Sequence, residues 1–250
     1  MDGVAFWTAA VVASVLVGMS KGGLPAVGML AVPVLALVIN PVAAAGLLLP
    51  VYVLSDIFGL YAYRHAFDRR VLAIVVPGMM AGVVFGWATA ALVPAWAVTA
   101  LVGAIGFAFA LNILLRPKRP AAPRPARVVP GLFWGSLSGF TSFVSHSGAP
   151  PYQVYTLPLG MTKTVFAGTS TIAFAIINAV KLVPYWHLGQ LSATNIQVAT
   201  VLMPVAALAV FVGVRLVQWL PEAAFFRFVT WALLVLSVKL IWDGLSGALA

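Results

Sequence analysis

The sequence predicts an all-α polytopic membrane protein, and three observations carry that reading. Of its 250 residues, 63% are hydrophobic and 8% charged, with a mean hydropathy of +1.08; an ordinary soluble domain carries roughly 25% charged residues. The apolar residues gather into about eight runs, several of them near the length of ~20 residues with which a helix crosses a hydrocarbon core. Those runs lack the apolar/polar alternation of an outer-membrane barrel, so the spans are helical.

The chain starts Met1, Asp2, Gly3 and enters apolar sequence with no Lys or Arg, so the basic region of a secretory signal is missing and the first segment is expected to be retained. That segment, 4 to 39, would be roughly 54 Å long as one helix, far beyond a core of ~30 Å. It breaks at "GMSKGGLPAVG", 18 to 28, where a lysine, glycines and a proline interrupt the apolar run. Runs at 42 to 63, 71 to 93 and 95 to 115 follow, each of single-span length. "RPKRPAAPRPARVVP", 116 to 130, carries five basic residues and prolines that preclude a regular helix. It divides the chain into a first repeat, 1 to 115, a basic Pro-rich cytoplasmic linker, 116 to 129, and a second repeat, 130 to 250. The run at 130 to 161 is again too long and is interrupted at "SFVSHSGAPPY", 142 to 152. Spans at 164 to 186, 191 to 220 and 222 to 248 complete the chain. The prolines at 77, 94, 204 and 221 read as kinks or helix starts.

The two halves match at nearly constant offsets. Gly23 and Pro25 meet Gly148 and Pro150; Ala45, Gly46, Asp56, Tyr63 and His65 meet Ala167, Gly168, Asn178, Tyr185 and His187; Pro77, Gly86 and Pro94 meet Pro204, Gly213 and Pro221. This pattern points to an internal duplication. If each opening element crosses the membrane once, the repeats are parallel. If each is a re-entrant hairpin, the repeats are inverted, and the basic loops at 64 to 70 and 116 to 127 share one side with Lys163, Arg215 and Arg227. The positive-inside tendency favours the inverted arrangement, with both termini outside.

Broken elements near the midplane are how secondary transporters build substrate sites, because half-helix ends offer backbone donors to an anion. Ser20, Lys21, Gly22 and Gly23 stand at the first break; Ser145, His146, Ser147 and Gly148 stand at the second. Thr169, Ser170 and Thr171 follow, and Asn178 and Lys181 share a helix face at i, i+3 spacing. Asp56 is the one acidic residue expected deep in a span. Cations and hydroxyls thus outnumber carboxylates, which suits an anionic cargo better than a metal cation. The substrate candidates are Ser20 to Gly23, His146 to Gly148, Thr169 to Thr171 and Asn178; Asp56, His146 and Lys181 are candidates for coupling or gating. Each has a structural alternative: Lys21 can bind carbonyls at the break, Asp56 can pair a lysine or a helix end, and small hydroxyl residues commonly pack helices. His65 and His187 are expected at the interface.

There are no cysteines, so disulfides, thiolate metal sites and thiol chemistry are excluded. The net charge of +9 sits mainly between the apolar segments, where it sets topology; no nucleic-acid partner is implied. HExxH, P-loop and GxSxG motifs are absent, no cofactor or metal is called for, and the chain is not expected to be an enzyme.

"GMSKGGLPAVGMLAVPVL", "LPVYVLSDIFGLYAYRHAFD" and "GTSTIAFAIINAVKLVPYWHLG" resemble the TauE/SafE family, and the resemblance covers essentially the whole chain in two copies. It implies a bacterial inner-membrane carrier of small sulfur oxyanions, sulfite or organosulfonates such as sulfoacetate. In the second copy "SHSGAP" replaces the lysine-glycine pair. The expectation is a proton-coupled secondary carrier in the cytoplasmic membrane, working by alternating access with the bilayer as its environment and a homodimer as one possible assembly. The alternatives are an anion channel and, further off, a membrane assembly factor or enzyme.

Overall fold

Both over-long runs break at the positions their glycines and prolines mark. The computed structural model describes residues 3–89, 94–115 and 123–249. The first half gives α1 (Val4–Lys21), α2 (Pro25–Gly28), α3 (Ala31–Ala36), α4 (Pro41–Tyr63), α5 (Arg69–Ala88) and α6 (Ala95–Leu115). The second gives α7 (Val128–Ser145), α8 (Ala149–Thr156), a 3-10 turn (Leu157–Leu159), α9 (Lys163–His187), α10 (Ala193–Trp219) and α11 (Glu222–Leu249). Among the described residues six helices are long and apolar enough to cross a membrane: α1, most of α4, α5, α9, α10 and α11. Five exposed tryptophans, Trp7, Trp87, Trp96, Trp186 and Trp219, lie near helix ends, the place where an amphipathic ring meets the lipid headgroups, while Trp231 and Trp242 are exposed within α11. This is a multi-pass membrane protein.

Local chemistry explains each break. At the first, the amides of Gly22, Gly23 and Leu24 donate to the carbonyls of Gly18, Ser20 and Met19 at 2.9, 3.2 and 3.3 Å. Gly23 adopts φ +106, and a Cβ there would lie 2.6 Å from both the Tyr63 hydroxyl and the Ala167 methyl, so the position requires glycine. Pro25 then opens α2, where its missing N–H costs no hydrogen bond. At the second break, His146 takes a left-handed φ of 53. Its amide donates to Ser142 O at 3.1 Å and that of Ser147 to Thr141 O at 3.2 Å, nested bonds that close the end of α7. The chain beyond α8 returns to its own entrance: Arg124 N–H donates to Pro158 O at 3.0 Å, and the Tyr155 hydroxyl donates to Arg127 O at 3.1 Å.

The helices form two compact units that interleave the halves of the sequence. One unit comprises 1–68 and 164–220, hence α1 to α4 with α9 and α10; the other comprises 69–163 and 221–250, hence α5 to α8 with α11. The expected linker at 116–129 is non-helical over 123–127, while its residues 116–122 lie outside the described part.

Within the first unit α4 and α9 run antiparallel. A Cβ on Gly46, near the start of α4, would meet Gln190 O just beyond the end of α9 at 2.6 Å. Reciprocally, one on Gly168, near the start of α9, would collide with Ala66 O just beyond the end of α4. α1 packs on α10 with Gly22 against Gly213, where a Cβ would come 2.6 Å from the facing Cα.

Within the second unit α5 and α7 lie side by side in the same direction. Gly78, Gly82 and Gly86 recur every fourth residue on α5, as Gly131, Gly135 and Gly139 do around α7. A Cβ on Gly78 would sit 2.5 Å from Leu132 O, and one on Gly135 2.6 Å from Val75 O. Small residues at this spacing let two backbones approach closely in a membrane. In the two halves of the sequence the prolines paired by offset take matched places: Pro77 and Pro204 lie inside α5 and α10, and Pro94 and Pro221 directly precede α6 and α11.

Candidate anion site

Among the described residues, the buried lysines and carboxylates are Lys21, Lys181 and Asp56, all in the first unit. Lys21 is the last residue of α1, where a cation complements the negative end of the helix dipole. Its Nζ lies 2.7 Å from Asp56 Oδ1, with both side chains at most 6% exposed. The other carboxylate oxygen accepts a hydrogen bond from Asn178 Nδ2 at 2.9 Å. Lys181 follows Asn178 by one turn of α9, is fully buried, and lies within Coulombic reach of Lys21 and Asp56. Among the described residues the buried ionisable set of this unit is thus two lysines and one carboxylate.

The carbonyls freed at the break are claimed by neighbouring side chains, as buried backbone acceptors require. The Tyr63 hydroxyl donates to Gly22 O at 2.6 Å, Thr171 Oγ1 to Lys21 O at 3.1 Å, and the Tyr52 hydroxyl to Gly28 O at 2.7 Å. The Tyr52 ring also carries Lys21 Nζ 5.1 Å from its centroid. These contacts hold the end of α1 against α4 and α9, and so hold the lysine on its carboxylate.

Of the other expected residues, Ser20 donates to Val17 O at 2.7 Å, Thr169 to Val165 O at 2.7 Å and Ser170 to Phe166 O at 2.8 Å. Thr169 Oγ1 also accepts from the Asp68 amide at 2.9 Å. A hydroxyl has a single proton, and in each of these it goes to a backbone carbonyl. The amides of Gly22 and Gly23 already serve the cap of α1.

His146, Ser147 and Gly148 belong to the second unit, apart from this cluster in the division of the chain. There the hydroxyl of Ser138 donates to Gly148 O at 2.7 Å, and Thr141 Oγ1 lies 2.9 Å from Leu137 O and 3.2 Å from Ser147 O. His146 is buried, whereas His65 and His187 are exposed at the ends of α4 and α9. The Ser145 side chain lies outside the described part.

The family model for the sulfite exporter TauE/SafE proteins matches residues 10–240. The chain belongs to the TauE/SafE family. No curated protein and no solved structure gives a significant match. As a TauE/SafE protein the chain is a membrane transporter of the sulfite or anion exporter type, with a small anionic substrate and a lipid environment.

One residue of this TauE/SafE protein escaped the sequence reading. Gln153, on α8, is fully buried, and among the described residues neither its amide oxygen nor its amide nitrogen has a hydrogen-bond partner. The signal was present: Gln153 is the one amide side chain in the half-helix "APPYQVYT" after the second break.

Proposed function

We propose that this TauE/SafE protein is a secondary carrier of sulfite or an organosulfonate in the bacterial cytoplasmic membrane, with the anion held at the cluster of Lys21, Asp56, Asn178 and Lys181. The observation that carries the reading is the buried ion pair of Lys21 with Asp56, with Asn178 on the other carboxylate oxygen and Lys181 one turn further along α9. Buried charges in a membrane are expensive and mark functional paths. A small anion suits this set, because its charge and acceptor oxygens match the lysine and amide donors gathered there. Lys181, a titratable group in the same cluster, is the proposed carrier of a coupled proton.

An inverted repeat fits the same geometry. Asp56 and Asn178 occupy matching places in the two copies and are hydrogen-bonded to each other, while α4 and α9 pack antiparallel with reciprocal end contacts. That arrangement supports alternating access about the cluster.

The test is flux of labelled sulfite, sulfoacetate and sulfate into proteoliposomes, with and without an imposed pH gradient, beside Lys181→Gln. The expected result is saturable uptake that the gradient drives above equilibrium, reduced at least about tenfold in Lys181→Gln, the loss of a charged hydrogen-bonding partner. Flux that neither saturates nor concentrates the anion would establish a channel instead. Wild-type flux in a folded Lys181→Gln would place the cargo elsewhere.

A further inference from the structure

We infer that the second unit carries a binding site for one anionic glycerophospholipid, its phosphate on Arg124 and Arg127 and an acyl chain in the groove between α5 and α7. Two cavities lie one beyond the other along α7. The first, about 360 Å³, is lined by Arg124, Arg127, Trp134 and Tyr155, with prolines and apolar residues around them. The second, about 550 Å³, is lined by Ala81, Gly82 and Phe85 of α5 and by Phe133, Leu137 and Phe140 of α7, with Ser136 as its one polar side chain. They adjoin at neighbouring residues of α7: Trp134 lines the first and Phe133 the second, their rings edge to face with centroids 5.2 Å apart. The polar end is thus joined to an apolar groove that descends roughly 10 Å along α7, from Phe133 to Phe140.

The chemistry of the two ends selects the occupant. Arginine is protonated at any working pH and its planar fork matches phosphate oxygens. Among the described residues no carboxylate lines either cavity. A choline or ethanolamine cation would find no counter-charge there, whereas an anionic headgroup finds two. Trp134 at the mouth is the side chain that prefers the headgroup level. The groove beside it is greasy and open, with Phe85 and Phe133 each about 60% exposed, as a surface against an acyl chain should be. The polar cavity is also built rather than incidental: the Arg124 amide on Pro158 O and the Tyr155 hydroxyl on Arg127 O fix the segment that bears both arginines. A lipid spanning both cavities clamps the entrance of α7 to α5. Basic pockets between membrane helices are a recurring place for such headgroups.

The test uses the full-length protein, delipidated in detergent, with binding read by native mass spectrometry for three probes: dioleoyl phosphatidylglycerol, dioleoyl phosphatidylcholine and sn-glycerol 3-phosphate. Phosphatidylglycerol is expected to bind at least about tenfold more tightly than phosphatidylcholine, and to lose that preference in Arg124→Gln/Arg127→Gln, since each basic side chain contributes on the order of 1 kcal/mol toward an anionic lipid. Both arginines are exposed, so this variant should fold. Ala81→Trp fills the groove from an exposed position and is expected to weaken phosphatidylglycerol while leaving glycerol 3-phosphate unchanged. Equal affinity for the two lipids, or an unaltered preference in the double variant, overturns the site. Glycerol 3-phosphate binding as tightly as the lipid, with Ala81→Trp having no effect, overturns the lipid and leaves a free-anion pocket.

Discussion

Replacing Asp56 by asparagine separates charge from shape at the centre of the first unit. The amide keeps an oxygen for Asn178 but removes the negative charge that faces Lys21 Nζ across 2.7 Å. At an effective dielectric of ~20, that contact represents a gross attraction of about 6 kcal/mol. Desolvation of both ions offsets much of it in the native protein, but deleting one partner leaves a buried ammonium without a counter-ion, which costs ~3–5 kcal/mol. For a chain of this size each kcal/mol moves Tm by ~2–4 °C, so Asp56→Asn should melt on the order of 10 °C lower. Lys21→Met in the same background removes the stranded charge and should recover most of that loss. Scanning fluorimetry of the wild type, both single variants and the double variant in one detergent gives the coupling directly. Sulfite bound at the cluster should protect Asp56→Asn more than the wild type, because the anion stands in for the missing carboxylate. A Tm for Asp56→Asn within about 2 °C of wild type would refute the reasoning, since a buried ammonium without its partner cannot be that cheap.

Other outcomes follow from packing and backbone geometry. Gly139→Leu places a side chain where even a Cβ meets Met79 O; forcing α5 and α7 apart should cost ~1–3 kcal/mol or more and lower Tm by several degrees, and an unchanged Tm would show that the two helices can slide. Gln153→Met keeps the volume and removes an amide that has no partner among the described residues; thermal denaturation should show a gain of up to ~1–3 kcal/mol, and a fall in Tm would mean the amide is satisfied in the working protein. His146→Gly relieves a left-handed φ of 53; it should raise stability by about 1 kcal/mol, and destabilisation would show that contacts of the imidazole outweigh the strain.

Much of the fold was legible because its signals are local. Apolar runs predicted at 42 to 63, 95 to 115 and 222 to 248 became Pro41–Tyr63, Ala95–Leu115 and Glu222–Leu249. The breaks after Lys21 and Ser145 followed from glycine and proline, whose effects need no neighbours. The offset pairing Asp56 with Asn178 was visible too, and these residues touch. What stayed hidden was the use of the polar side chains. Lys21 and Asp56 are 35 positions apart, and sequence offered the acid any lysine or helix end; packing of α1 on α4 made the choice. Ser20, Thr169 and Ser170 read as donors to an anion, yet each proton goes to a carbonyl of its own helix. The glycine stripes on α5 and α7 were readable as a spacing but carried no partner, since the same stripe fits any helix that presents small residues.

The sequence by itself determined that the chain is helical, membrane-embedded and broken twice, because bilayer thickness, backbone hydrogen bonding and the geometry of glycine and proline act on each segment alone. Only the tertiary structure decided that helices of both halves interleave into two compact units, and that the buried lysines and the buried carboxylate fall in one of them. The physical reason is range: a span is chosen by the solvent around it, whereas a charge or hydroxyl is given its task by whichever partner stands within about 3 Å, and that partner is set by folding.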